Sequence, residues 1–191
     1  MKIIEHSGVS PVHKDTIRLA EVARAYGKHK VLDMGTGTGY VAIALAKAGS
    51  SVDATDINYA AIACAKENAV KNNISVNVFY SDLFEKVTGK YDLIIFNPPL
   101  GGVEPGWQVS IKAVIRKSIL KNLVSRFVSR ITQKKRIPFL KKVIDESFLH
   151  LNEEGILLLH IQSIDVPYLS RYNIKIIEKV FEHSTIVKLS L

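Results

Sequence analysis

The chain has 191 residues, 47% apolar and 23% charged, which suits one globular domain able to bury most of its apolar surface. Its net charge of +8 favours acidic partners such as nucleic acid, ribosomes or anionic surfaces. A single cysteine, Cys64, excludes an intrachain disulfide and fits a reducing compartment. Met1–His6 lacks an apolar signal core and no uncharged run reaches spanning length. The expectation is a cytoplasmic protein with no membrane partner.

In chain order, the first element expected is a helix over Ile17–Tyr26, with Asp15 or Thr16 as its cap and Gly27 as its stop. It follows the segment Pro11-Val12-His13-Lys14-Asp15-Thr16. Next, Val31-Leu32-Asp33-Met34 reads as a strand, Gly35-Thr36-Gly37-Thr38-Gly39 as a turn, and Tyr40–Lys47 as an Ala-rich helix. Glycines at alternate positions let the backbone take positive φ and pass close to a ligand. The helix start behind them presents free N–H groups to that turn. The spacing differs from the G-x-G-x-x-G of a dinucleotide site, and an acid two residues before the first glycine suits a cationic ligand better than a diphosphate.

Ser51–Asp56 reads as a second strand ending in an acid 23 residues after Asp33, where nucleotide-binding α/β folds place a ribose-gripping carboxylate. Asp56 equally suits a helix cap for the Ala-rich stretch from Asn58, which Asn72-Asn73 ends. Cys64 lies in that stretch as a small core residue. A third strand over Ser75–Tyr80 runs into Ser81-Asp82-Leu83. Three acids at the ends of consecutive strands place one ligand across the carboxyl edge of a sheet.

Apart from Asp92, Tyr91–Phe96 is continuously apolar, as for a strand covered on both faces, and delivers Asn97-Pro98-Pro99-Leu100. Two prolines fix φ and remove N–H donors, leaving local carbonyls free to accept. The Asn97 side-chain oxygen and the Pro98 carbonyl can then take both hydrogens of an –NH2 group. From Gln108 to Lys142 there are eleven Lys or Arg and no Asp or Glu. Leu120, Val124, Phe127, Val128 and Ile131 share one helical face there, with Arg126, Arg130 and Lys134 opposite. A phosphate-rich partner, a solvated basic face and a membrane-surface helix are the readings open for this stretch. Phe139–Leu151 reads as a helix and Gly155–Ile161 as a buried strand. Asp165-Val166-Pro167 opens a short helix through Tyr172, and Asn173–Phe181 with Ser184–Leu191 forms a closing hairpin. His6, His13, His150, His160 and His183 show no metal-ligand spacing, so no metal is expected.

The Asp33-x-Gly35-x-Gly37-x-Gly39 loop together with Asn97-Pro98-Pro99 resembles the class I S-adenosylmethionine methyltransferases of the Asn-Pro-Pro type. The Pro11…Asp15-Thr16 segment and compact layout look most like short HemK/PrmC-type N-methyltransferases. The resemblance implies a Rossmann-like, doubly wound, seven-stranded, mostly parallel sheet with an antiparallel last strand. The chain length fits a single domain over 1–191, and a basic helical insertion at 101–136, where the resemblance is weak, would crown the active site because the loop after the fourth strand leaves on the cofactor side of the sheet. S-adenosylmethionine is the implied cofactor, held by Asp15, Thr16, Asp33, Gly35, Thr36, Gly37, Gly39, Asp56, Ile57, Asp82, Leu83 and Asn97. Asp82 would contact the adenine amino group and Leu83 pack on the ring. Asn97, Pro98, Pro99 and Leu100 would be the catalytic turn. Leu100 departs from the aromatic usual at that position, and Trp107 is either its substitute or a packing residue. The implied acceptor is a planar –NH2, first a protein glutamine amide in a release factor. The alternative is an RNA or DNA base amine, adenine N6 or guanine N2. A small activating subunit is a partner such relatives sometimes use. A catalytically silent RNA-binding protein is the remaining rival, against which the intact Asp33, Asp56, Asp82 and Asn97 argue.

Overall fold

The computed structural model describes residues 1–98, 121–181 and 183–190. Pro99, Leu100, Trp107 and the 101–120 part of the expected insertion lie outside the described residues, as do the side chains of the stripe from Leu120 to Ile131. The elements are α1 (Lys14–Ala25), β1 (Lys30–Met34), α2 (Tyr40–Lys47), β2 (Ser51–Asp56), α3 (Tyr59–Lys71), β3 (Asn77–Tyr80) and β4 (Tyr91–Phe96). They continue with α4 (Lys121–Leu149), β5 (Leu151–Gln162), a 3-10 helix (Ser163–Leu169), β6 (Ile174–Phe181) and β7 (Ser184–Ser190).

The seven strands form one sheet in the order β3-β2-β1-β4-β5-β7-β6. Only β7 runs antiparallel to its neighbours, as the motif resemblance implies. Apolar runs such as Leu93–Phe96 supply both faces in alternation. Leu93 and Ile95 join Val31, Val52 and Leu158 under α1, α2 and α3. Ile94 and Phe96 join Leu32, Met34 and Leu157 against Leu140, Val143 and Ile144 of α4. A strand buried this way has no polar face to offer, which explains the unbroken hydrophobicity.

Local chemistry sets the element ends. Asn58 caps α3 by accepting from the Ala60 N–H at 2.9 Å. Gly27 follows α1 at φ +56, the left-handed stop. The start of α1 differs from the expectation: His13 is the cap residue, without a side-chain cap bond, and Asp15 instead accepts from its neighbour's N–H at Thr16.

The basic stretch departs further from its sequence pattern. Instead of a helix starting at Phe139, one helix runs from Lys121 to Leu149 with Pro138 inside it. A proline there removes the N–H that would bond back to residue 134 and ordinarily breaks a helix. Packing on both sides of it carries the helix through. Leu140, Val143 and Ile144 are fully buried after the proline. Before it, the buried Arg136 guanidinium makes a two-pronged bond to Asp165, at 2.7 and 2.8 Å. β5 also begins four residues early, at Leu151, through a register shift against β4. The expected helix through Tyr172 is a 3-10 turn ending at Leu169.

Candidate functional site

Parallel pairing brings the carboxyl ends of four strands level: Met34 faces Thr55 and Phe96, and Asp56 faces Tyr80. Between β1 and β4 the strand order reverses, since β1 leads outward to β2 and β3 while β4 leads to β5. Crevices form at such a switch point because the connections leave in opposite directions. A cleft of about 520 Å³ lies here, lined by Gly35, Gly37, Asp56, Asp82, Asn97 and Pro98 among others.

The glycine loop forms its floor. Gly35, Gly37 and Gly39 all adopt positive φ, at +66, +55 and +80. At two of them a side chain would also be crowded. A Cβ on Gly35 would lie 3.0 Å from the Phe96 ring, and one on Gly39 would lie 3.0 Å from Cβ of Ala65. The loop is tied at several points: the Thr36 N–H donates to the Thr55 carbonyl at 2.9 Å, and the Gly37 N–H to Asp56 Oδ2 at 3.0 Å. Asp56 Oδ1 accepts from the Asn58 N–H at 2.9 Å. The Asp56 carboxylate is thus aimed by two backbone donors and is half-buried at the cleft.

Asp33 has a different position. It is buried beneath the loop, and its Oδ2 accepts from Thr36 Oγ at 2.7 Å and from the Ala42 N–H at 3.1 Å. It joins loop to helix start rather than lining the cleft. Burial pushes its carboxyl up to about 7, against which the two hydrogen bonds pull down, while the Asp56 charge adds to the rise. Thr36 and Gly39 are buried with it. Asp15, Thr16, Gly35, Gly37, Asp56, Ile57, Asp82, Leu83, Asn97 and Pro98 all come together on the cleft wall. Asp82 is exposed at its mouth, and Leu83 holds φ +46, a left-handed conformation rare for a leucine.

Three further contributors were not among the expected site residues. The N-terminal segment forms one wall through Val9, Ser10 and His13. Fully buried Asn68 of α3 pins that segment by accepting from the Ile4 N–H at 2.7 Å and donating to the Ile4 carbonyl at 2.8 Å. The same amide donates to the Thr38 carbonyl of the glycine loop at 2.9 Å. Phe139 of α4 closes the opposite side. His160 of β5, one of the histidines without metal spacing, has Nδ1 2.9 Å from Asn97 Oδ1 and 3.5 Å from Asp15 Oδ2. Burial holds its imidazole below the usual histidine range, with the Asp15 charge pulling the other way. Asn97 Nδ2 reaches Thr16 Oγ at 3.4 Å. Among the described residues no cluster of acidic, histidine or cysteine side chains could hold a metal ion.

A seven-stranded sheet in this order, with a glycine loop and an Asn-Pro turn on either side of its switch point, is a class I methyltransferase fold. The Thermus thermophilus 16S rRNA N2 G1207 methyltransferase, solved with AdoMet and guanosine, superposes with a TM-score of 0.65 at 16% identity, over 96% of this chain and 44% of that one. The chain belongs to the methyltransferase small domain family, whose model matches residues 8–121. A Methanocaldococcus jannaschii protein provisionally named protein N5-glutamine methyltransferase is 44% identical over 100 residues, 52% of this chain and 51% of that protein. The Lactococcus lactis release factor glutamine methyltransferase is 31% identical over 134 residues, 69% of this chain and 47% of that protein. The Buchnera aphidicola ribosomal RNA small subunit methyltransferase C is 48% identical over 73 residues, 37% of this chain and 21% of that protein. The chain therefore aligns with about half, or less, of the length of these relatives.

Proposed function

We propose that the protein is an S-adenosylmethionine-dependent N-methyltransferase whose acceptor is the side-chain amide of a protein glutamine, a release factor being the substrate to test first. The observation that carries this reading is the juxtaposition of Asn97 and Pro98 with the glycine loop across one cleft. The cleft residues suit this cofactor. The positive-φ loop lets a ligand approach the backbone closely, and the braced Asp56 carboxylate has lone pairs left for ribose hydroxyls. Exposed Asp82 beside Leu83 offers an acceptor and an apolar contact for a purine. Bound there, the cofactor supplies an electrophilic methyl on a sulfonium.

The chain's own work is positioning. Asn97 Oδ1 and the Pro98 carbonyl accept the two hydrogens of the acceptor –NH2, which turns the nitrogen lone pair toward the loop. Two neutral oxygens also stabilise positive charge growing on that nitrogen. Alignment of this kind is worth up to roughly 7–11 kcal/mol of barrier. The glutamine acceptor is favoured by the compact layout and the two glutamine methyltransferase relatives.

A base amine in ribosomal RNA is the second reading, supported by the eleven basic residues from Gln108 to Lys142 and the rRNA methyltransferase relative. Not all of those charges face outward: Arg136 is buried against Asp165. The discriminating experiment incubates the chain with tritiated S-adenosylmethionine and either release-factor protein or small-subunit rRNA, and locates the label by mass spectrometry. Label on glutamine of the release factor is expected. Label on rRNA alone, with binding that weakens steeply in salt, replaces glutamine with a base amine. Label on neither refutes the reading, and the activity then does not reside in this stretch of chain alone. A cytoplasmic location, an activating subunit and the role of 101–136 as an acceptor-binding crown belong to the same proposal. No described helix is long and apolar enough to cross a membrane.

A further inference from the structure

His160 stands across from Asn97 because Phe96, the last residue of β4, pairs with Leu159, and His160 and Asn97 are the next residues of the two chain segments. Its ring is 1% exposed. Two oxygens face Nδ1, Asn97 Oδ1 at 2.9 Å and Asp15 Oδ2 at 3.5 Å. Asp15 Oδ2 is an acceptor whichever way the Asn97 amide lies, and it would repel a bare lone pair at Nδ1, so Nδ1 carries the proton. The other ring nitrogen supports the same assignment, since buried Nε2 has no hydrogen-bond partner among the described residues. An unpaired buried acceptor is tolerated more readily than an unpaired buried N–H, so the Nδ1–H form again wins.

That proton fixes the Asn97 amide. If the amide turned over, its NH2 would meet the Nδ1–H donor. With Oδ1 held by His160 and Nδ2 near Thr16, one orientation remains, and the second lone pair of Oδ1 is free for an acceptor amine. A neutral imidazole suits this place better than Lys or Arg, because a permanent cation would oppose the positive charge developing on the acceptor nitrogen.

We infer that His160 is a positioning residue for methyl transfer: its Nδ1–H, steadied by Asp15, locks the Asn97 amide with Oδ1 presented to the acceptor –NH2. The inference rests on the N-methyltransferase reading of Asn97, and two measurements separate the fates of the two. The first needs no acceptor. Long-range nitrogen–proton correlation spectra of the full chain, with the His160 signal assigned by its loss in His160→Asn, report the tautomer at neutral pH. A neutral Nδ1–H ring is expected, and an Nε2–H or doubly protonated ring overturns the inference.

The second measurement uses whichever acceptor takes label in the assay above. His160→Leu removes the donor and should lower kcat about 100-fold, the scale of a small misplacement of reacting groups, while calorimetric affinity for S-adenosylmethionine is unchanged. His160→Asn, whose amide nitrogen occupies the Nδ1 position, should rescue most of that loss. Equal losses in both variants, or kcat retained in His160→Leu, refute the positioning role. If the wild type labels neither acceptor, the reaction assignment fails while the tautomer still decides whether the clamp exists.

Discussion

Asp33 is the residue whose replacement should be most informative about what the glycine loop costs. Its carboxyl is 4% exposed, and burial raises it from 3.8 to about 7 against the pull of two hydrogen bonds. Because the folded state holds the proton more tightly than the unfolded chain, this group favours folding most below about pH 4. That contribution is lost as pH rises through the window from about 4 to about 7, and is flat beyond it. A shift of about three units corresponds to about 4 kcal/mol between the ends of the window. That is a large part of the roughly 5–15 kcal/mol that holds a typical domain folded. Asp33→Asn removes the titration but keeps an oxygen for Thr36 and Ala42. Thermal melts of both proteins should coincide near pH 4 and diverge as pH rises, with the variant the more stable at pH 8. At about 2–4 °C per kcal/mol for a chain this size, the gain at pH 8 is at most about 8–16 °C. Parallel melting curves across the window, or a variant less stable at pH 8, would show that burial does not dominate at Asp33.

The other predictions concern separate parts of the rim. Asp56→Ala should weaken S-adenosylmethionine binding by about 10-fold or more, because charge-assisted hydrogen bonds of about 1.5–3 kcal/mol are lost; unchanged calorimetric affinity would remove Asp56 from the site. Asn97→Ala should abolish transfer with cofactor affinity intact, and retained turnover in the tritium assay would end its catalytic role. Asp165→Asn leaves the Arg136 guanidinium buried without its charge partner and should cost about 3–5 kcal/mol in urea unfolding, whereas Arg136→Met with Asp165→Leu should recover most of it. A double variant as unstable as the single one would mean the pair is not held by the desolvation balance.

The residues readable from sequence were those whose chemistry is local. Gly35, Gly37 and Gly39 announce positive φ by themselves, Asn97 ends an apolar run whose length gives the strand away, and Asp56 lies 23 residues after Asp33 at the end of a short strand-length segment. The unbroken apolar run Leu93–Phe96 likewise implies a strand covered on both sides. What could not be read depends on contacts between distant segments. Nothing near Pro138 indicates that the helix continues, because the partner that braces Arg136 lies 29 residues later at Asp165. Asp33 looked like a ligand for a cation, yet its two bonds run to Thr36 and Ala42, and only the packing of α2 reveals that. His160 sits in an apolar strand like any core histidine, and its pairing with Asn97 follows from the β4–β5 register, which periodicity does not specify.

This division between local and distant determinants also orders the site. Asp56 and the glycine loop are braced from β2 and α3, on one side of the switch point. Asn97 is braced from β5 and α1, on the other. The Asp56 and Asn97 sides therefore share a cleft but not a support. The Asn68 amide reinforces only the first side, by bonding the N-terminal segment and the Thr38 carbonyl together. The Asp15–His160 pair reinforces only the second. A change on the Asp56 side should thus register in cofactor affinity and a change on the Asn97 side in turnover, because each group's geometry is set by a different pair of elements.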